Sequence, residues 1–277
     1  MASSSASTTR SLDRRTFFKL AAAVSGTVAA GWDTTAASTA ERADLEAVLE
    51  EQGVTGTFVL YDPAADRMTT VNGSRAAQRF VPASTFKIAN SLIALETGVV
   101  KDENEIVPYG GKPQPVKSWE RDMSIREAIA ISNVPVYQEI ARRVGLARYK
   151  EWLDRLDYGN RQTGSIVDRF WLEGPLEISP LEQVRFVAAL AQQTLPVSKR
   201  SQSAVRDIMR LEDLDGRTLY GKTGWAVRPR QIGWWTGWVE RDGKPIAFAL
   251  NIDMASAADA PTRAAAGKLM LQRLGVL

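Results

Sequence analysis

The residues with the most chemical potential are Ser84 and Lys87, set as Ser84-Thr85-Phe86-Lys87, and a downstream Lys222-Thr223-Gly224. The 277-residue chain has no histidine and no cysteine. That excludes a Ser-His-Asp triad, a thiol nucleophile, a disulfide and any metal site built on histidine or cysteine. A serine nucleophile here must pass its proton to another group. Lysine is the leading candidate, because burial lowers an ammonium pKa from about 10.4 towards neutrality. Three residues apart at the start of a helix, the two side chains share one face, so the amine can approach the hydroxyl. Pro82 suits the start of that helix. Unpaired backbone N–H groups at such a terminus favour the developing oxyanion of acyl transfer. Lys222-Thr223-Gly224 falls on an expected strand, where a glycine leaves room for a ligand backbone and the strand could pair with an amide substrate. Taken singly, each element is common, and fits equally well a capped surface helix or an ordinary strand end.

The surrounding pattern supplies elements to hold these residues. Residues 44–52 read as a short helix, and 57–61 and 68–71 as two strands joined by a hairpin at Asp62-Pro63. From Pro82 to about Gln193 the pattern is mostly helical, over 84–96, 124–131, 134–143, 146–155 and 180–193. Strand character returns at 218–224, 233–239 and 246–252, and 261–274 closes as a helix. The expectation is a mixed α+β fold. One antiparallel sheet is built from both chain ends, flanked by helices, with a mainly helical region inserted.

The order of elements is more informative than any one of them. S-x-x-K followed by K-T-G is the order seen in penicillin-interacting serine enzymes. Between them stands Ser132-Asn133-Val134, trailed by Pro135-Val136-Tyr137-Gln138. This resembles the S-x-V element of class D (oxacillinase-type) serine β-lactamases, not the S-D-N or S-x-N of their relatives. Residues 80–88 resemble the nucleophile segment of that family, Tyr158-Gly159-Asn160 its Y-G-N element, and residues 170–176 its tryptophan loop. Lys222-Thr223-Gly224-Trp225 and residues 233–238 resemble its closing strands. Matched segments run from about 57 to 275.

The resemblance implies hydrolysis of β-lactam antibiotics, and so resistance, through an acyl-enzyme on Ser84. It implies that Lys87 is carboxylated by carbon dioxide or bicarbonate, the resulting carbamate serving as general base. Phe86, Val134, Trp171 and Leu172 would wall off the lysine, with the Trp171 indole N–H as donor. Ser132 and Lys222 would relay the proton to the leaving nitrogen, and the backbone N–H groups of Ser84 and Trp225 would hold the oxyanion. Thr223, Gly224 and Arg263 would bind substrate, Arg263 through its substituent carboxylate. Tyr158-Gly159-Asn160 reads as support, and Trp234, Trp235 and Trp238 as sheet packing. No metal and no other cofactor is expected. A cell-wall peptidase and a β-lactam sensor that stays acylated are the rival readings. Val134 and Trp171 speak for turnover.

Net charge is +3. Of this, +2 belongs to residues 1–40, where Arg10, Arg14, Arg15 and Lys19 face Asp13 and Asp33. The near-neutral remainder has no basic stripe, so no nucleic-acid partner is expected. Residues 1–9 are of low complexity. Asp13-Arg14-Arg15-Thr16-Phe17-Phe18-Lys19 and the short apolar run after it resemble a twin-arginine signal. Residues 1–40 are therefore read as a leader and 41–277 as a single catalytic domain. The precursor would use the twin-arginine export machinery, with cleavage after Ala30 or Ala40. The mature protein would be periplasmic or secreted, would lack a membrane span, and could form a homodimer.

Overall fold

Strand-forming sequence lies at the two ends of the chain, and the structure pairs those ends in one sheet. The computed structural model describes Met1 and residues 38–277. The leader assigned to residues 1–40 lies outside the described residues except for Met1 and its last three positions. The N-terminal part contains β1 (Ser38–Glu41), α1 (Glu46–Glu51), β2 (Gly56–Asp62), β3 (Arg67–Val71) and the one-turn α2 (Gly73–Ala76). The middle carries α3 (Lys87–Glu96), α4 (Ile125–Ala130), α5 (Val134–Val144), α6 (Leu146–Arg155), α7 (Pro180–Ala191) and α8 (Lys199–Ile208). The C-terminal part is β4 (Arg210–Leu214), β5 (Arg217–Ala226), β6 (Ile232–Arg241), β7 (Lys244–Asp253) and α9 (Thr262–Arg273).

The sheet order is β1-β3-β2-β7-β6-β5-β4. The two chain ends meet where β2 pairs antiparallel with β7, from Gly56 opposite Ile252 to Tyr61 opposite Ala247. Side chains alternate across the strands. Trp234, Trp238, Ala247 and Ala249 face the helical layer, while Trp235, Val239, Phe248 and Leu250 face a second core with α1 and α9. The three tryptophans are buried sheet packing, as the sequence suggested. On the α9 side, a Cβ on Gly267 would come within 2.1 Å of the Trp235 ring. Only glycine allows the helix so close.

The helices start where side chains cap them. Ser124 with Glu127, and Ser179 with Glu182, form reciprocal capping boxes, and Asn133 caps α5 by accepting from the Val136 N–H. Four features differ from the expectation. The sheet is not wholly antiparallel, because β1 runs parallel to β3. That strand also spans residue 40, where the leader was expected to end. Helix α8 was not expected: it buries Ser201 and Gln202 as well as Val205 and Ile208, so half of its inner face is polar. Gln202 satisfies itself on the backbone of Leu195 and Val197, which lets a polar side chain stand where apolar periodicity would be sought. Edge strand β4 was also missed, having a register shift between Arg210 and Glu212 and an exposed Leu211.

Candidate active site

Ser84 does not sit in the first turn of an α-helix. It lies in a 3-10 turn, Ala83–Phe86, which passes into α3 at Lys87. A 3-10 turn eclipses positions three apart, so Ser84 and Lys87 are stacked more directly than an α-helix would allow. Lys87 Nζ stands 2.9 Å from Ser84 Oγ. Ala83 has φ of +50°, a left-handed conformation costly for a residue with a Cβ. Neighbouring elements hold the turn in this shape. The Ala83 N–H donates to Trp171 O at 2.9 Å, and Phe80 forms a two-way bridge with Ile178. The Trp234 indole donates to Val81 O at 2.9 Å. Thr85 closes the turn by donating to Pro82 O at 2.7 Å.

Lys87 is fully buried, and burial pushes its ammonium well below the ordinary lysine range, with the nearby Lys222 charge adding to the shift. Burial therefore favours the neutral amine over the ammonium. Phe86, next to Lys87 in sequence, and Trp171 are fully buried, with ring centroids 5.5 Å apart, and Phe170 packs edge-on to Trp171 at 5.0 Å. Val134 and Leu172 are half-buried, Val134 in the first turn of α5 and Leu172 against the same core. The Trp171 Nε1–H is buried without an acceptor. Tyr137, which the sequence reading did not single out, places its ring 5.2 Å from Lys87 Nζ. Its place in the trailing Pro135-Val136-Tyr137-Gln138, one turn past Ser132, was the available signal.

A second group approaches from the sheet. Lys222 on β5 donates to Ser132 Oγ at 3.0 Å and to Thr223 O at 2.9 Å. Ser132 stands in the α4–α5 connection with φ of +58°. Burial, and then the charge of Arg263, lower the Lys222 pKa to about 7. Arg263, in the first turn of α9, donates from Nη1 to Gly224 O at 2.7 Å and from Nε to Ala260 O at 2.8 Å. Partial burial lowers its pKa as well. Gly233, another residue the sequence reading left out, makes room for this arginine: a Cβ there would lie 3.0 Å from both Arg263 Cγ and Cδ. No carboxylate contributes to the environment of Lys87, Lys222 or Arg263 among the described residues. The site therefore presents positive charge to a ligand, which suits an anion.

Gly224 also serves packing. A Cβ on it would meet Pro82 O at 3.0 Å and Thr85 Cγ2 at 3.1 Å. Its bare face lets β5 press against the nucleophile turn, so close packing is a second reason for glycine here. Trp225 follows on the same strand, half-buried, with an indole N–H that has no acceptor. Tyr158 packs edge-on against Phe86 at 5.5 Å and donates to Gln183 at 3.3 Å. Asn160 ties the Trp171 loop by donating to Pro175 O and accepting from the Glu177 N–H.

Ser84, Lys87, Ser132, Lys222 and Arg263 thus gather around β5, with Thr223 next to Lys222 on that strand. An arrangement of a serine on a buried lysine amine, a second serine on a poised lysine and a half-buried arginine can carry out acyl transfer to a hydroxyl. Residues 56–272 match the family described as penicillin binding protein transpeptidase domain. The chain is 39% identical over 230 residues to β-lactamase OXA-5 of Pseudomonas aeruginosa, covering 82% of this chain and 86% of that protein. It is 42% identical over 219 residues to β-lactamase OXA-48 of Klebsiella pneumoniae, covering 79% and 83%. The fold is similar to the crystal structure of FUS-1 (OXA-85), a class D β-lactamase from Fusobacterium nucleatum subsp. polymorphum. The TM-score is 0.82 at 41% identity, over 86% of this chain and 99% of that one. Motifs, fold and relatives agree, and the chain belongs to the class D serine β-lactamases.

Proposed function

We infer that the protein hydrolyses β-lactam antibiotics through an acyl-enzyme on Ser84, with Lys87 as the site of the general base. The observation that carries this is the 2.9 Å contact between Ser84 Oγ and the Nζ of a fully buried Lys87. A protonated lysine could not accept the serine proton, and burial removes that obstacle. In the first half-reaction Ser84 Oγ attacks the lactam carbonyl carbon and gives its proton to the Lys87 side chain. The backbone N–H groups of Ser84 and Trp225 hold the oxyanion. The C–N bond breaks, and the ring nitrogen takes a proton along Ser132 from Lys222, whose pKa of about 7 suits both giving and regaining it. Thr223 and Arg263 bind the substrate carboxylate. Lys222 regains a proton and the Lys87 side chain gives up the one it took before the second half-reaction. The Lys87 side chain then takes a proton from the water that attacks the ester carbonyl, and returns it to Ser84 Oγ as the C–O bond to the serine breaks.

The pocket fits carboxylation of Lys87. A neutral amine is the form that reacts with carbon dioxide, and Trp171 Nε1–H is a buried donor still lacking an acceptor. When formed, the carbamate supplies an anionic oxygen base for both half-reactions. Phe86, Trp171 and Leu172 exclude bulk water from it. This reading extends to export through Arg14-Arg15. Cleavage after Ala30 keeps β1 whole, whereas cleavage after Ala40 would remove three of its four residues.

Intact-protein mass after mixing with benzylpenicillin tests the nucleophile. The wild type should show a transient acyl adduct and turn over nitrocefin. Ser84→Ala should show neither, and an adduct on the folded variant would refute the assignment.

A further inference from the structure

The face of α3 that carries Lys87 continues into the core with two more polar residues. Asn90 and Ser91 lie three and four positions beyond the lysine, and all three are fully buried. At those spacings they share its side of the helix. Side chains on a helix lean towards its N-terminus, so Asn90 covers the turn that carries Lys87. A core does not keep such groups without partners at no cost. Ser91 is satisfied: its hydroxyl lies 2.8 Å from the hydroxyl of Tyr137, the ring of which faces Lys87 Nζ. Asn90 is satisfied on one side only. Tyr149 donates its hydroxyl to Asn90 Oδ1 at 2.7 Å, which fixes the orientation of the amide. The other end, Nδ2–H₂, is buried with no acceptor.

Tyr149 also belongs to the aromatic cluster of the site. Its ring lies 6.1 Å from Phe86 and 5.1 Å from Phe170, which in turn packs on Trp171. The cluster and the amides bonded to its tyrosines therefore contain three unpartnered buried N–H groups among the described residues, Trp171 Nε1, Asn90 Nδ2 and Gln183 Nε2, and of the two amides only Asn90 stands on the Lys87 face of α3. A buried anion needs more than one donor. We propose that Asn90 is a positioning residue for the acid–base lysine, its free amide N–H serving beside the Trp171 indole as a second donor to the anionic form of the Lys87 side chain. Tyr149 aims that amide. The inference rests on the carboxylated-lysine reading above and adds a residue that the motif comparison did not supply.

The test is a titration of the folded enzyme with carbon-13 bicarbonate, following the carbamate resonance by NMR. Wild type should give one resonance, absent in Lys87→Ala. Asn90→Leu, close in shape but without the donor, should weaken bicarbonate affinity roughly tenfold or more. It should also shift the carbamate resonance and recover turnover in part at saturating bicarbonate, which a merely structural defect would not do. Tyr149→Phe keeps Asn90 but releases its amide, and should show a smaller loss of roughly two- to tenfold. If Asn90→Leu does not fold, Tyr149→Phe decides. A wild-type resonance with unchanged bicarbonate affinity in the folded variants overturns the role of Asn90 and leaves the carboxylated lysine standing. No resonance in wild type overturns both.

Discussion

The two lysines of the site occupy contrasting surroundings. Lys87 is fully buried beside the Tyr137 ring, and burial and the Lys222 charge, with no carboxylate, set its pKa. Lys222 lies on β5 between Ser132 and the positively charged Arg263, and burial with that charge brings its pKa to about 7. The same side chain therefore serves two purposes. In the proposed mechanism an apolar enclosure disfavours the ammonium, which suits a base or an amine that carbon dioxide can trap. A more polar enclosure leaves the proton near balance and suits a relay. Placement on different elements produces the difference: Lys87 opens α3 in the helical layer, whereas Lys222 stands on β5.

Removing Lys87 should have the largest effect. Lys87→Ala is expected to lower kcat/KM for benzylpenicillin by about 10³–10⁴-fold, the scale of a lost general base. Lys222→Ala, by contrast, should slow acylation more than deacylation, because only acylation expels the ring nitrogen. Stopped-flow acylation and single-turnover decay separate the two steps, and equal losses in both would collapse the comparison.

Next in size is Trp171. Trp171→Phe keeps the ring against Phe86 but removes the free N–H, at a cost of about 1.5–3 kcal/mol for a hydrogen bond to a charged group. Deacylation should slow more than acylation, and added bicarbonate should restore part of it. A loss that bicarbonate does not touch would mean that the indole serves packing alone.

Arg263→Ala should cost a similar or smaller amount, about 1.5–3 kcal/mol in kcat/KM for carboxylate-bearing β-lactams. Substrates esterified at that carboxylate should lose far less, and equal losses for acid and ester would return Arg263 to its backbone contacts with Gly224 and Ala260.

The smallest effect is on stability. Both lysines have folded pKa values below those of the unfolded chain. Between the folded and unfolded values the unfolded chain holds more protons, so each lysine makes stability rise with pH there, by up to about 1.4 kcal/mol per unit. For Lys222 that window opens near pH 7. For Lys87 it opens well below the ordinary lysine range. In degassed buffer, Lys222→Met should flatten the rise above about pH 7, and Lys87→Met should flatten the rise that ends at the ordinary lysine range. Denaturant midpoints from pH 5.5 to 9.5 report this.

How far the sequence revealed these sites depended on which interactions build them. Ser84, Lys87 and Lys222-Thr223-Gly224 were legible because local spacing and short motifs define them. The long strands β5, β6 and β7 were legible from their β-branched and aromatic content. Features that arise only on packing were not. Ser84 sits in a 3-10 turn because Ala83 is pulled onto Trp171 O, a contact across the Trp171 loop. Gly224 and Gly233 are small to admit Pro82 and Arg263, which distant parts of the chain deliver. Helix α8 hid behind buried glutamine and serine, and the parallel pairing of β1 has no local signature. Asn90 and Tyr137 carried no motif of their own, and became visible only when their partners were in place.

The most direct measurement of the central claim is nitrocefin turnover in degassed buffer as bicarbonate is added back. A carboxylated Lys87 predicts a low initial rate that rises to saturation with bicarbonate, with acyl-Ser84 accumulating before the addition and disappearing after it. Full turnover in degassed buffer, unchanged by bicarbonate, would contradict the account and leave Lys87 acting as a free amine.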